Sequence, residues 1–318
     1  MRHRPTLRRT GIAGLLLALS LPAAAWNAAG HRLSAALAWQ EMRPETRAAV
    51  TGLLARHPDR ERWQKHNRSG DSGRTAFIEA STWPDDIRRD RRFHDDGEAP
   101  TPALPGYPDM HRRTSWHYAE QRIDDGRRVG RGELGRQLPR LLLTLADRHA
   151  PPATRVHALP WIVHLVADAH QPLHTAGRSA GDGRSDAGGN RLWVETPQHP
   201  RLRGMSLHAY WDDLPGPPWL RGKALDRAVA ALPRPNLAAV TDADRLADVA
   251  GWIAESRALA GTVAYAGLSG DTPVIDDRYH DRARETARER IALAAHRLAR
   301  LLDALLDEGS DVSRETGR

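Results

Sequence analysis

The segment HLVADAHQPLH, residues 164–174, gathers side chains suited to holding a cation. His164 and Asp168 are four residues apart, so a helix brings an imidazole and a carboxylate to one face. That spacing serves either a shared metal or a plain helix-surface ion pair. Pro172 disfavours helix at Gln171 and predicts a turn, from which His174 approaches a second site in the following loop. The stretch SLHAYWDD repeats the pattern: His208 and Asp212 share the four-residue spacing, and Ser206 is placed to cap their helix. Two further stretches offer candidates, Asp85 with Arg88 in STWPDDIRRD and His117 in SWHYAE. Taken singly, these read more simply as a capping carboxylate and a packed histidine.

These side chains need elements to hold them, and the chain supplies helices. Apolar residues recur at helical spacing through most of its 318 residues, while alternating strand patterns with hairpin turns are scarce. The expected fold is all-α, a single mainly helical domain over residues 26–308, followed by a disordered tail at 309–318. A helix capped by Thr241 or Asp242 is predicted to run to about Tyr265. Another places Ile291, Leu298, Leu301, Leu302 and Leu305 on one stripe, with Arg and Asp on the other side. Pro44 and Pro139 sit where helices can begin. Residues 94–108 and 176–190 read as exposed loops. Trp39, Trp161 and Trp252 read as core rather than chemistry.

Composition removes several functional classes. With Cys 0, the chain has no disulfide, thiolate metal site or cysteine nucleophile, so any metal relies on histidine, carboxylate or backbone. Arg2, Arg4, Arg8 and Arg9 precede an apolar run at 12–21 and the small residues Ala23, Ala24 and Ala25, the pattern of a signal peptide over residues 1–25. The run falls short of the roughly 20 residues that span a bilayer. The expectation is export, to a secreted or periplasmic location, with Trp26 as the new terminus. Those first 25 residues hold four arginines and no carboxylate, so the net +7 of the whole chain falls to about +3 in the remainder. That is too mild to argue for a nucleic-acid partner by charge alone.

The ordered set Trp26, His31, Asp85, His117, His164-x3-Asp168, His174 and His208-x3-Asp212 resembles the zinc-dependent single-strand nucleases of the S-one/P-one family. The motifs WNAAGH, WPDDIR, SWHY, HLVADAHQPLH, GGN, LHAYWD, WIAES and AAHRLARLL carry the resemblance along nearly all of the chain after residue 25. It implies three Zn2+. One would bind the free α-amine and carbonyl of Trp26 together with His31 and Asp168. Asp168 would bridge to a second, held by Asp85, His117 and His164, and the third would sit on His174, His208 and Asp212. Such ligands suit zinc, which accepts imidazole and carboxylate without thiolate.

The resemblance further implies hydrolysis of single-stranded DNA and RNA to 5′-phosphate products, and 3′-nucleotidase activity on nucleotides. Two zincs joined by Asp168 would lower the pKa of a water, the third would stabilise the departing O3′, and Arg88 would neutralise charge on the phosphate. Tyr118 matches an aromatic base-site position, although a core tyrosine is as good a reading. Glu120 stands where family members often carry an Asp that contacts the base, and Gly189 and Asn190 match family positions in the Gly-rich loop. His170 is expected to orient a neighbouring ligand. The protein is expected to act as a monomer, without a membrane partner once the leader is gone. Two other readings remain: a zinc-dependent phospholipase C, whose relatives resemble His-x3-Glu where this chain has His208-x3-Asp212, and a zinc-binding protein without turnover.

Overall fold

A computed structural model describes residues 26–307, apart from 124, 129, 180–184, 201 and 235–246. The expected leader over residues 1–25, the expected tail and the expected caps Thr241 and Asp242 lie outside the described residues. α1 (Ala28–Glu41) starts at Asn27, whose side chain accepts the Ala29 N–H at 2.8 Å. α2 (Pro44–Leu54) begins with its proline, as expected. α3 (Arg60–Gln64), α4 (Ser72–Ala80) and the single turn α5 (Trp83–Asp86) follow. 3-10 turns occupy Ile87–Arg89 and Thr114–His117.

α6 (Leu134–Ala146) packs against α7 (Pro152–Asp168). Pro139 lies inside α6 rather than at its start. It forfeits the bond to the Gly135 carbonyl, but Leu134, Leu138, Leu141, Leu142 and Leu145 are all buried along one stripe, and that burial outweighs the lost bond. α7 is buried at every position from Val156 to Asp168, as a helix in the middle of a domain must be. α8 (Pro172–Thr175), α9 (Leu207–Asp213) and α10 (Gly222–Ala230) continue the chain.

α11 (Val249–Leu259) starts at the cap Asp248 and runs into a π-helical stretch, Ala260–Ala264. α12 (Asp277–Leu305) closes the domain along α1. Ile291, Leu298, Leu301 and Leu302 of α12 are buried and Leu305 is half-buried. The expectation that its arginines all face away fails at Arg290 and Arg297, which are buried. Both bind Glu255 of α11 (3.0 Å and 2.7 Å), and this pairing makes the burial of two guanidiniums tolerable.

The strands are short. β1 (Gln121–Arg122) pairs in parallel with β2 (Ala176–Gly177), Gln121 opposite Ala176, and β3 (Trp193–Glu195) pairs antiparallel with β4 (Gly204–Ser206). The mainly helical expectation is met. Trp39, Trp161 and Trp252 are buried as core residues. Among the described residues no helix is long and apolar enough to cross a membrane.

Candidate metal centre

The C-terminal turn of α7 is the axis of the site. His164 and Asp168 face one way, with His164 Nε2 3.2 Å from Asp168 Oδ2. α7 ends there, Gln171 caps the next turn, and Pro172 starts α8. His174 therefore sits on a short helix rather than in a loop. Four other elements add side chains: α1 brings His31, α5 brings Asp85, the Thr114–His117 turn brings His117, and α9 brings His208 and Asp212. Ser206 caps α9 through the Ala209 N–H at 3.1 Å, as its position predicted.

Three His/Asp groups of the right size for a cation result: His31, Asp85 and His164; His117, His164 and Asp168; and His174, His208 and Asp212. Asp168 lies between them. Its Oδ1 is 3.6 Å from His31 Nε2 and 3.5 Å from His174 Nδ1, and its Oδ2 is 3.2 Å from His117 Nδ1. Asp85 approaches His31, His117 and His164 at 3.8–4.0 Å. His31 stacks on His164 with ring centres 3.8 Å apart.

Backbone carbonyls fix the imidazoles. His164 Nδ1 donates to Ser81 O at 2.8 Å, His174 Nδ1 to His117 O at 2.9 Å, and His208 Nδ1 to Gly188 O at 2.7 Å. In His174 and His208 the bond spends the ring's N–H on the backbone and leaves Nε2 as a lone pair, whereas His164 Nε2 faces Asp168 Oδ2. His174 and His208 consequently point two Nε2 atoms at each other across 3.2 Å. Gln171, fully buried, donates to Asp212 Oδ1 at 2.8 Å and accepts from Leu173 N.

Burial holds His31, His117 and His174 well below the usual imidazole value, and neighbouring imidazoles push the same way. Burial likewise brings His208 down to about 4 and pushes the Asp212 carboxyl well above its ordinary range. His164 behaves otherwise: burial opposes its charge, but Asp168 and Asp85 outweigh this and hold it at about 9. Asp168 is pushed up to about 6, chiefly by burial, against the pull of His164. Both members of the pair move upward, so together they retain a proton through neutrality that a cation would replace.

The donor set fits zinc. His31 Nδ1 and Nε2, His117 Nε2 and Asp168 Oδ1 are buried atoms without a hydrogen-bond partner. Such atoms are costly unless something satisfies them, and neutral imidazole beside carboxylate is the chemistry that binds this ion. Trp26 is fully buried next to the group. Its Nε1 donates to Ala167 O at 3.2 Å, and the following Asn27 N donates to Asp212 O at 3.0 Å. Gly30 packs so closely on Trp26 that an added Cβ would meet Trp26 Cβ at 2.7 Å.

The substrate candidates divide. Arg88 is largely buried, with Nη1 3.3 Å from Asp85 Oδ1, and lies against the Tyr118 hydroxyl, whereas Arg89 and Arg91 are exposed. The Tyr118 ring sits 4.8 Å from His174 and 6.1 Å from His208. Glu120 adopts a φ of 47° and turns its carboxylate to the Gly132 N–H at 3.2 Å. Asn190 is exposed, and its Nδ2 donates to Ala187 O. Its loop acts through the backbone, since Gly188 and Gly189 accept from His208 Nδ1 and N. Gly188 has φ +62°, and a Cβ there would meet Leu173 O at 2.2 Å.

Two differences from the sequence reading concern this turn. His170 orients no ligand: its ring bonds Val166 O and Arg297 Nη1, so it anchors the turn to α12. Gln171 was overlooked, and its only signal was an amide set between two ligand candidates.

A family model described as S1/P1 Nuclease matches residues 26–307. A search of curated proteins gave no match.

Proposed function

Because the chain belongs to the S1/P1 nuclease family, we propose that it is an exported zinc-dependent endonuclease. In this reading it hydrolyses single-stranded DNA and RNA to 5′-phosphate products and also removes 3′-phosphates from nucleotides. The observation that carries the reading is the convergence of three His/Asp groups on the buried carboxylate of Asp168. The zinc ligands would be His31, Asp85, His117, His164 and Asp168, then His174, His208 and Asp212, with the Trp26 amine and carbonyl completing the set once residues 1–25 are removed.

Bound zinc supplies Lewis acidity at neutral pH, lowering the pKa of water and drawing charge from the phosphoryl and departing oxygens. The protein's part is positioning. Asp168 offers its two oxygens to different sides of the cluster, which fixes the spacing of the groups it joins. The outward bonds of His164, His174 and His208 hold the rings before substrate arrives, so reorganisation costs little. Arg88, steadied by Asp85 and Tyr118, turns a fixed guanidinium toward the non-bridging oxygens of a phosphate at the Asp85 edge. The Tyr118 ring gives an unpaired base a surface to stack on beside His174. A duplex keeps its bases stacked inside, which favours unpaired substrate.

The test is zinc content per chain, with nucleotide release from denatured DNA, RNA and phosphatidylcholine, before and after chelation. Three zincs and chelator-sensitive release from both nucleic acids are expected. Nuclease turnover in fully metal-free protein, or hydrolysis of the phospholipid alone, would overturn the reading.

A further inference from the structure

The face of α5 turned away from Asp85 opens into a groove of two joined chambers. The inner chamber, about 410 Å³, is walled by Arg32, Glu79, Trp83, Asp86, Ile87 and Arg221. The outer one, about 830 Å³, shares Glu79 and Arg221 with it and adds Arg68, Arg74, Trp219 and Lys223. Its inner chamber takes in the chain neighbours of two ligand candidates, Asp86 after Asp85 and Arg32 after His31, while the ligand candidates themselves line neither chamber.

Charge differs between the chambers. In the inner one the carboxylates Asp59, Glu79, Asp86 and Asp90 balance Arg32, Arg62, Lys65 and Arg221, and Glu79 itself is held by Arg32 at 3.2 Å and by Arg221 at 2.7 Å. The outer chamber sets Arg68, Arg74, Arg221 and Lys223 against the carboxylates Glu79 and Asp226. Arg74 is spent on Asp226 at 2.5 Å, whereas Arg68 and Lys223 are exposed and have no ion pair among the described residues. Trp219 stands beside them with 59% of its surface exposed, over a floor that includes Ile78 and Leu225. Arg221 locks this stretch to α4 through Glu79, and Gly222, at φ +56°, sets the bend that leads into α10.

Exposed cations that track a backbone, next to an aromatic face open to any base, form the chemistry that grips unpaired nucleic acid without sequence preference. We propose that this groove, with Arg68 and Lys223 on phosphates and Trp219 under a base, holds the single strand beyond the scissile phosphate. The proposal rests on the nuclease reading above, and it makes long strands better substrates than dinucleotides.

The experiment uses the zinc-loaded enzyme with long oligothymidylate and with a dinucleotide. In the double variant Arg68→Glu/Lys223→Glu, KM for the long strand should rise about tenfold or more with kcat unchanged, and dinucleotide turnover should stay as in the parent. The salt slope of strand binding should fall by about 0.7 for each lost phosphate contact. Trp219→Ala should weaken long-strand binding by about tenfold and Trp219→Phe should restore most of it; dinucleotide turnover reports that each variant is folded. An unchanged long-strand KM and salt slope in the double variant would overturn the groove and leave the nuclease reading intact. A parent enzyme that cleaves neither substrate would overturn both.

Discussion

The group around Asp168 and the group around Asp212 draw on the same two residue types, yet they settle their charge differently. In the Asp212 group the chain does most of the work. His174 and His208 are neutral by burial, both rings are aimed by backbone carbonyls, and Gln171 holds the carboxylate. In the Asp168 group one carboxylate faces imidazoles from three elements, His164 and Asp168 keep a proton between them, and His31 has neither ring nitrogen bonded. One site is prepared by local hydrogen bonds. The other is assembled from distant pieces and keeps a proton where its donors could hold a cation.

The sharpest way to break this contrast is to delete each carboxylate. Asp168→Ala should cost two zincs per chain and on the order of 10⁴-fold in activity, whereas Asp212→Ala should cost one zinc and about 10²–10³-fold. Elemental analysis beside turnover checks this, and equal zinc losses would erase the distinction. Next in size is the chain end. If the Trp26 amine is a ligand of the Asp168 group, a precursor retaining residues 1–25 should be roughly 10²-fold less active than trimmed protein, while the Asp212 group still fills. Equal rates at equal zinc would remove Trp26 from the ligand set.

A smaller effect belongs to Gln171. Gln171→Ala should weaken one zinc about 10- to 100-fold and leave the others unchanged, measured by competition with a chromogenic chelator. The smallest effect concerns pH, and the two groups should differ in sign. In metal-free protein His164 has a pKa of about 9, above its unfolded value near 6.5, so its contribution is complete below pH 6.5 and lost as pH rises through 9. His208, at about 4, lies below its unfolded value, so stability is lost there as pH falls from 6.5 toward 4. Each is worth on the order of 1–3 kcal/mol, a few degrees in Tm. His164→Gln should flatten the alkaline limb of the melting profile and His208→Gln the acid limb.

How far the sequence reached follows from the range of the interactions. The pairs His164/Asp168 and His208/Asp212 were legible because a helix fixes side chains four apart, and Ser206 as a cap is equally local. That His31, Asp85 and His117 join them depends on packing between elements far apart in the chain, which spacing cannot express; only the family resemblance proposed it. Pro139 misled because a proline marks a first turn by propensity, while burial of a leucine stripe decided where α6 begins. Arg290 and Arg297 misled in the same way, since a charged residue reads as exposed until a partner such as Glu255 is known. Gln171 was passed over because its importance lies in one bond across 41 residues.

The unequal size of the elements that carry the ligands has a kinetic consequence. His164 and Asp168 ride on a helix buried from Val156 onward, the kind of segment whose amides exchange last, whereas Asp85 sits on a four-residue helix and His117 on a four-residue 3-10 turn. Ion escape then needs only the fraying of those short pieces, while the central rod stays shut. Departure and reloading of an ion held there should therefore follow the local opening of these two short elements rather than the unfolding of α7.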